Sequence, residues 1–493
     1  MTSMHLIAHW NPEDAAFWRG PGRRVARRNL ALSVPALMLA FAVWMLWSVV
    51  VVHLPAAGFR FSTNQLFWLA ALPALSGATL RVFYAFAVPV FGGRRWTALA
   101  TASLLLPALG TGFALQDTTT PYEVLVGLAL LCGLGGGNFA SSMAHISYFY
   151  PRHRAGWALG LNAGLGNLGV SLAQALVPAV IAFSLLGAFG APTNAALAGA
   201  AGTAPATPVV PITPIWLQNA GFVWVPLIAA SCLAAWFGMN DLADVRSGFG
   251  EQAVIFKRKH TWLSCWLYLG TFGSFIGFAA GFPLLLASHF PAVDATQLAW
   301  IGPLVGAVLR PLGGWLSDRL GGARVTLWCL AAMALSTLGV WQWLPGEGAA
   351  EAGHLPGVLA GFVVLFAAAG IGSSSVFRMI PLIFAHLHEG APGAADSAPK
   401  NSPDRASDRA ADRATVPAED AGAKRAHTEA AATLGFCSAI GAYGGFVIPK
   451  SFGTALLWSG SAAPALLMFI AFYLSCIAIT WWHYGRPGAA LPC

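Results

Sequence analysis

Apolar runs of about 20 residues, many without a single charge, recur from Leu30 to Tyr484, and a soluble fold cannot hide so many of them. At ~1.5 Å rise per residue, each run is long enough to cross the ~30 Å hydrocarbon core of a bilayer as a helix. Charge is as scarce as the runs require. Only 9% of the 493 residues are charged and 57% are hydrophobic, against about 25% charged in a soluble protein. A membrane barrel would instead alternate polar and apolar residues over strands of ~10 residues. The chain therefore reads as an all-α polytopic membrane protein.

The runs fall at about 30–53, 64–91, 96–115, 122–148, 156–187, 215–238, 262–290, 296–317, 325–345, 355–384, 428–456 and 462–485. Twelve spans place both termini on one side, and the basic residues say which. With the N-terminus inside, 22 of the 27 arginines and lysines lie in inner segments and only Arg60 lies outside, the bias expected of cytoplasmic loops. The net charge of +8 thus reflects membrane topology, and no nucleic-acid partner is expected. Arg19, Arg23, Arg24, Arg27 and Arg28 precede a first run that no cleavage site follows, so that run is expected to stay as a span.

The expected organisation is a cytoplasmic segment (1–29), a six-helix half (30–238), a cytoplasmic linker (239–261), a second six-helix half (262–485) and a cytoplasmic tail (486–493). Gly187–Pro214 reads as an outer loop, and 386–427 as a flexible cytoplasmic loop with Asp-Arg pairs at four-residue intervals. The seven cysteines show no CxxC pair, and six sit in or at the edge of apolar runs. Neither a disulfide framework nor a metal site is indicated, and no cofactor is expected.

The two halves repeat. Arg81 and Arg310 are each followed after eleven residues by a glycine pair, Gly92-Gly93 and Gly321-Gly322. Leu159-Gly160 precedes Gly166 and Gly169 at the same intervals by which Leu434-Gly435 precedes Gly441 and Gly444. Many secondary transporters are built from such repeats, with the substrate held between them near the midplane.

Arg81 and Arg310 both fall near the middle of their spans, where an uncompensated charge costs at least about 2.5–3.5 kcal/mol. Of the nineteen acidic residues none falls mid-span; Glu123 and Glu429 lie at span starts and Asp318 at the end of the eighth. Backbone carbonyls remain open as partners, but two deep arginines in equivalent positions point to an anionic ligand. Arg378 and Lys450 lie closer to span ends, where long side chains can reach the interface. Asn167 sits among the span 5 glycines and needs a partner, which makes it a candidate ligand donor. Gly164, Gly166, Gly169, Gly441 and Gly444 suit close helix packing and equally suit helices that bend or slide.

Gly314 to Arg324 (GWLSDRLGGAR) resembles the loop between helices 2 and 3 of major facilitator halves, in which acid and base latch neighbouring helices. Asp318 and Arg319 are the expected latch. The first-half copy, Phe91 to Trp96, has no acid, so only one latch is expected. Gly135 to Ser147 with Ala158 to Ser171, echoed by Gly370 to Ile380 and Ala439 to Lys450, is similar to the paired nitrate signatures of the nitrate/nitrite porter (NarK-type) family. The likeness runs from Trp10 to Arg486.

That resemblance implies the major facilitator fold, with 12 transmembrane helices in two pseudo-symmetric halves. It also implies a bacterial cytoplasmic (inner) membrane location and nitrate and nitrite as substrates. Arg81 and Arg310 would be the anion-binding pair, Phe139 and Phe272 would stack on the anion, and Tyr268 and Asn167 would hydrogen-bond it. His145 stands where the family has asparagine, and Arg378 where it has an uncharged residue. The chemistry agrees: nitrate is flat, and guanidinium forks with aromatic faces suit it better than they suit tetrahedral sulfate or phosphate.

An enzyme reading, such as a haem-carrying reductase subunit, needs facing histidines in the bilayer. Of twelve histidines only His145 falls in a span core, so no enzyme activity is expected. A channel is disfavoured by the two-half repeat. The expected function is nitrate/nitrite antiport by a monomer in the lipid bilayer, with nitrate–proton symport as the alternative.

Overall fold

The computed structural model describes residues 5–184, 190–194, 213–243, 253–345, 353–389, 418–489, 491 and 493. Most of the outer-loop stretch 187–214, most of the 386–427 loop and the middle of the 239–261 linker lie outside the described residues. Among the described residues, eleven helical stretches are long and apolar enough to cross a membrane. They are α1 (Ala15–Ala57), α2 (Thr63–Tyr84), α3 (Gly93–Ala114), α4 (Tyr122–Phe149), α5 (Arg154–Ile181), α6 (Asn219–Gly238), α7 (Lys259–His289), α9 (Gly322–Trp343), α10 (Leu355–His388), α11 (Thr428–Ser459) and α12 (Ala463–Gly485). Between α7 and α9 stands α8 (Ile301–Leu320), which has the length but carries Arg310, Asp318 and Arg319. Its charges are what keep it out of the apolar set.

Packing follows the repeat. α1 lies on α5 and α7 on α11; α2 lies on α4 and α8 on α10; α3 lies on α6 and α9 on α12. The first six helices meet the last six where α2 packs on α11, α5 on α8 and α1 on α7. Polar bonds cross that seam from mid-helix to the end at which α2 begins. Lys450 donates to Asn64 at 3.1 Å and lies 4.5 Å from the centre of the Trp68 ring. The Thr79 and Tyr443 hydroxyls meet at 2.9 Å, and Gln174 donates to the Ala279 carbonyl at 2.7 Å. Lys450 therefore spans the seam, a more specific structural role than reaching for the interface.

At the opposite end a two-residue parallel pair joins β1 (Leu6–Ile7) to β2 (Asp241–Leu242). The equivalent glycines between α2 and α3 and between α8 and α9 share one backbone conformation. Gly92 has φ 84° and ψ 147°, and Gly321 has φ 91° and ψ 136°, a region that a side chain makes costly. Each turn presents the second amide beyond its glycine to an acceptor from far along the chain. The Arg94 amide donates to the Asp241 carboxylate at 2.8 Å, and the Ala323 amide donates to the Cys493 main-chain oxygen at 3.0 Å.

That geometry corrects the expectation of a single latch. Asp241 also pairs with the Arg94 side chain at 3.4 Å and lies 3.9 Å from Arg95. The first-half loop lacks an acid of its own because β2 supplies one from 147 residues away. In the second half Asp318 does tie neighbouring helices together, but its partner is Arg378 of α10. Arg319 lies instead 4.1 Å from the centre of the Trp315 ring. Replacing Asp241 with alanine should leave the mostly buried Arg94 guanidinium without its counter-charge, destabilising the protein by on the order of 3 kcal/mol. Thermal unfolding in detergent should show a clearly lowered midpoint for Asp241→Ala, while Asp318→Ala, at a more exposed pair, should change it little.

Candidate anion-binding site

Arg81 is fully buried and Arg310 is 6% exposed. No ion pair among the described residues involves either of them; the pairs found there use Asp241, Asp318 and Glu429 near helix ends. Arg81 donates through Nε to the Gly136 carbonyl of α4 at 2.9 Å and through Nη1 to the Ser438 carbonyl of α11 at 2.9 Å. Its Nη2 is buried with no partner. Arg310 donates through Nη2 to the Tyr268 hydroxyl at 2.8 Å. Carbonyls therefore account for part of Arg81's hydrogen-bonding capacity, and the rest is left pointing at no acceptor.

Aromatic rings enclose both cations. The Arg81 guanidinium carbon lies 4.9 Å from the Phe139 ring centre, 5.1 Å from Trp44 and 5.7 Å from Phe272. The Arg310 carbon lies 5.2 Å from Phe272 and 6.0 Å from Phe377. Phe272 is thus shared by the two arginines. Phe139 and Phe272, one from each set of six helices, face each other at 6.3 Å with 28° between their planes. Tyr268 stacks on Phe272 at 5.1 Å and on Phe377 at 4.3 Å. The local backbone explains that row: residues Leu269–Gly273 of α7 form one π-helical turn, a wider turn that is frequent at functional sites. It begins directly after Tyr268 and carries Phe272.

Five of the six residues expected from sequence are therefore within one cluster: Arg81, Arg310, Phe139, Tyr268 and Phe272. Asn167 is fully buried on α5 with neither end of its amide bonded, and no hydrogen bond links it to the arginines. The glycines divide. A side chain at Gly166 would strike Leu37, one at Gly169 would strike the Met38 carbonyl, and one at Gly444 would strike the backbone of Gly273. At Gly441 a methyl group would come within 2.6 Å of the Tyr268 ring. Gly164 has nothing within 4 Å. α11 is interrupted at Tyr443, between Gly441 and Gly444, whereas α5 runs unbroken through Gly164, Gly166 and Gly169.

The sequence reading did not pick out Trp44, Phe377 or the Gly136 and Ser438 carbonyls. Trp44 and Phe377 lie in apolar runs, where an aromatic residue is by default core. His145, also buried, packs its ring 4.9 Å from Phe149, and its Nε2 has no partner.

Comparison with known proteins places the arrangement. The Major Facilitator Superfamily model matches residues 33–398. The chain is 47% identical over 488 residues to the nitrate/nitrite transporter NarU of Salmonella typhimurium LT2, covering 98% of this chain and 96% of that one. It is 37% identical to the probable nitrate/nitrite antiporter NarK2 of Thermus thermophilus, covering 99% and 98%. The chain belongs to the nitrate/nitrite porter family of the major facilitator superfamily. Among solved structures, a D-xylose–proton symporter aligns with TM-score 0.57 at 13% identity, over 93% of this porter and 97% of that chain. A bacterial homologue of the human lysosomal transporter Spinster aligns with TM-score 0.56 at 15% identity, over 92% and 95%. At such identities the likeness is one of fold. The porter is thus a multi-pass membrane protein, as its apolar runs required, and it has the major facilitator fold that the family resemblance implied.

Proposed function

We propose that the protein moves nitrate and nitrite across the cytoplasmic membrane by alternating access, exchanging one anion for the other. The relatives' names supply the substrates, and the paired arginines that share Phe272 without any carboxylate carry the reading. A flat anion between Phe139 and Phe272 would offer acceptor oxygens to Arg81 Nη2 and to the remaining donors of Arg310. Stacked rings bound the slot from both faces, which suits a planar trigonal anion and the smaller bent nitrite. Arg81, Arg310, Phe139, Phe272, Tyr268 and Asn167 form the proposed binding set, with Trp44 and Phe377 as its further walls.

Exchange follows from charge. An empty site would keep two buried cations without counter-charge, and a transition that closes the site around them is costly. A bound anion cancels part of that charge and accepts the free donors, so reorientation is fast only when loaded. The halves are 30–238 and 262–485, and the seam between them is where one ring and one arginine from each meet. Both termini and the linker 239–261 lie in the cytoplasm of a bacterial inner-membrane protein that works as a monomer in the bilayer. It performs no chemistry on its substrate and uses no cofactor or metal.

The experiment is counterflow in proteoliposomes. Vesicles loaded with nitrite should take up external nitrate rapidly, while empty vesicles should take up little, with or without an inward proton gradient. Strong gradient-driven uptake into empty vesicles would replace exchange by nitrate–proton symport. His145, the buried histidine of α4, would then be the next position to change, as His145→Asn.

A further inference from the structure

At the end of the bundle where α1 begins and α4 passes into α5, a cavity of about 280 Å³ is lined by Trp18, Arg23, Arg27, Tyr150, Arg154 and Trp157. It lies far from the arginine pair and has no part in the exchange argued above. We propose that this cavity binds the phosphate-bearing headgroup of an anionic phospholipid. Three of its six walls are guanidinium groups, none is a carboxylate, and no ion pair among the described residues uses any of the three. Phosphate is the anion whose several oxygens such a set of forks can share.

The second observation is at the cavity's polar aromatics. Trp18 and Tyr150 are 7% and 5% exposed, and the Trp18 indole N–H and the Tyr150 hydroxyl are both buried without a partner. Both residues line the cavity, and two buried donors without acceptors beside it are costly in an empty protein; a bound anion toward which they turn would satisfy them. The start of α5, whose first-turn amides carry partial positive charge, adjoins the same cavity through Tyr150, Arg154 and Trp157.

Placement favours a lipid over a free anion. The cavity sits where the long apolar helices end, and Trp157 is 63% exposed there, the residue type that occupies the membrane–water interface. Arg23, Arg24, Arg27 and Arg28 cluster just before the first apolar run, the pattern that attracts anionic lipid to a membrane surface. A volume of about 280 Å³ is several times that of one water in the liquid, roughly 30 Å³, so it can hold a phosphate with its headgroup alcohol.

The test uses the full-length protein in neutral detergent, offered dioleoylphosphatidylglycerol, dioleoylphosphatidylcholine or inorganic phosphate, with bound lipid measured by native mass spectrometry. The phosphatidylglycerol should be retained and the phosphatidylcholine lost. Arg23→Gln with Arg27→Gln should abolish retention, while Arg19→Gln with Arg24→Gln, the same charge loss outside the cavity, should keep it. Tyr150→Phe should weaken binding roughly tenfold, the worth of one hydrogen bond to a charged group, with the unfolding midpoint in phosphatidylcholine unchanged. Equal retention by both arginine pairs, or an unaffected Tyr150→Phe, would reduce the effect to diffuse attraction and overturn the site. Displacement of the lipid by an equal concentration of inorganic phosphate would make the ligand a soluble anion and overturn the lipid assignment.

Discussion

Arg81→Ala and Arg310→Ala are each expected to abolish nitrate uptake while the protein still inserts and folds. Arg81 is the more deeply committed. Its guanidinium touches α4 through the Gly136 carbonyl, α11 through the Ser438 carbonyl and three aromatic rings. Removing it takes away a buried cation that no carboxylate balances, so the fold loses two hydrogen bonds but also sheds an unfavourable charge. Stability should change by no more than about 1–3 kcal/mol, because these opposing terms partly cancel. Transport has no such compensation. Lysine should rescue poorly at either position, since an ammonium cannot present two parallel donors to a flat anion. At Arg310 it would also have to replace the bond to the Tyr268 hydroxyl. Near-normal uptake by either alanine variant at matched expression would rule out a site built on the pair.

Gly444→Val should damage both the fold and the site. A side chain there runs into the backbone of Gly273, which closes the π turn of α7, and the reverse substitution would bring a methyl to 3.0 Å from the Gly441 carbonyl. Helices α7 and α11 therefore touch backbone to backbone, the approach that glycine alone permits. Forcing them apart should cost about 1–3 kcal/mol or more in overpacking, and it displaces Tyr268 and Phe272 from the arginines. The expected result is loss of uptake together with a lowered unfolding midpoint. Gly435→Ala is the control: with nothing within 4 Å of that position, both quantities should stay near wild type. Wild-type behaviour of Gly444→Val would show that α11 can move away from α7 without disturbing the site.

The membrane class, the position of the helices and the paired arginines were all legible in the sequence because each depends on local pattern. An apolar run announces a span, and a lone arginine inside one announces a buried charge that needs explaining. Asp241 was not legible as the acid of the first-half latch, because nothing in the 91–96 loop points to a residue 147 positions away. The same holds for Arg378, which took the partner expected for Arg319. An arginine one or two turns from a helix end satisfies itself with whatever acid the neighbouring helix presents, and helix adjacency is not written in spacing. Trp44 and Phe377 were hidden for the opposite reason: in a chain with 20 tryptophans and 31 phenylalanines, an aromatic in an apolar run carries almost no information. The Gly136 and Ser438 carbonyls belong to the main chain, so no choice of side chain marks them.

The bond from Arg81 to the Ser438 carbonyl has a consequence for how tightly any anion is held. On the proposed reading, Nε and Nη1 are tethered to main-chain oxygens of α4 and α11 while Nη2 is left for the cargo. Each binding event then adds an acceptor to a fork whose direction is already set, and no bond within the protein has to break first. Such an internal tether spares the anion the cost of ordering the long side chain that grips it. It is also beyond the reach of ordinary substitution at Ser438, since every residue brings the same carbonyl. Only a change in the course of α11, at the interruption around Tyr443, would move that oxygen and turn the fork.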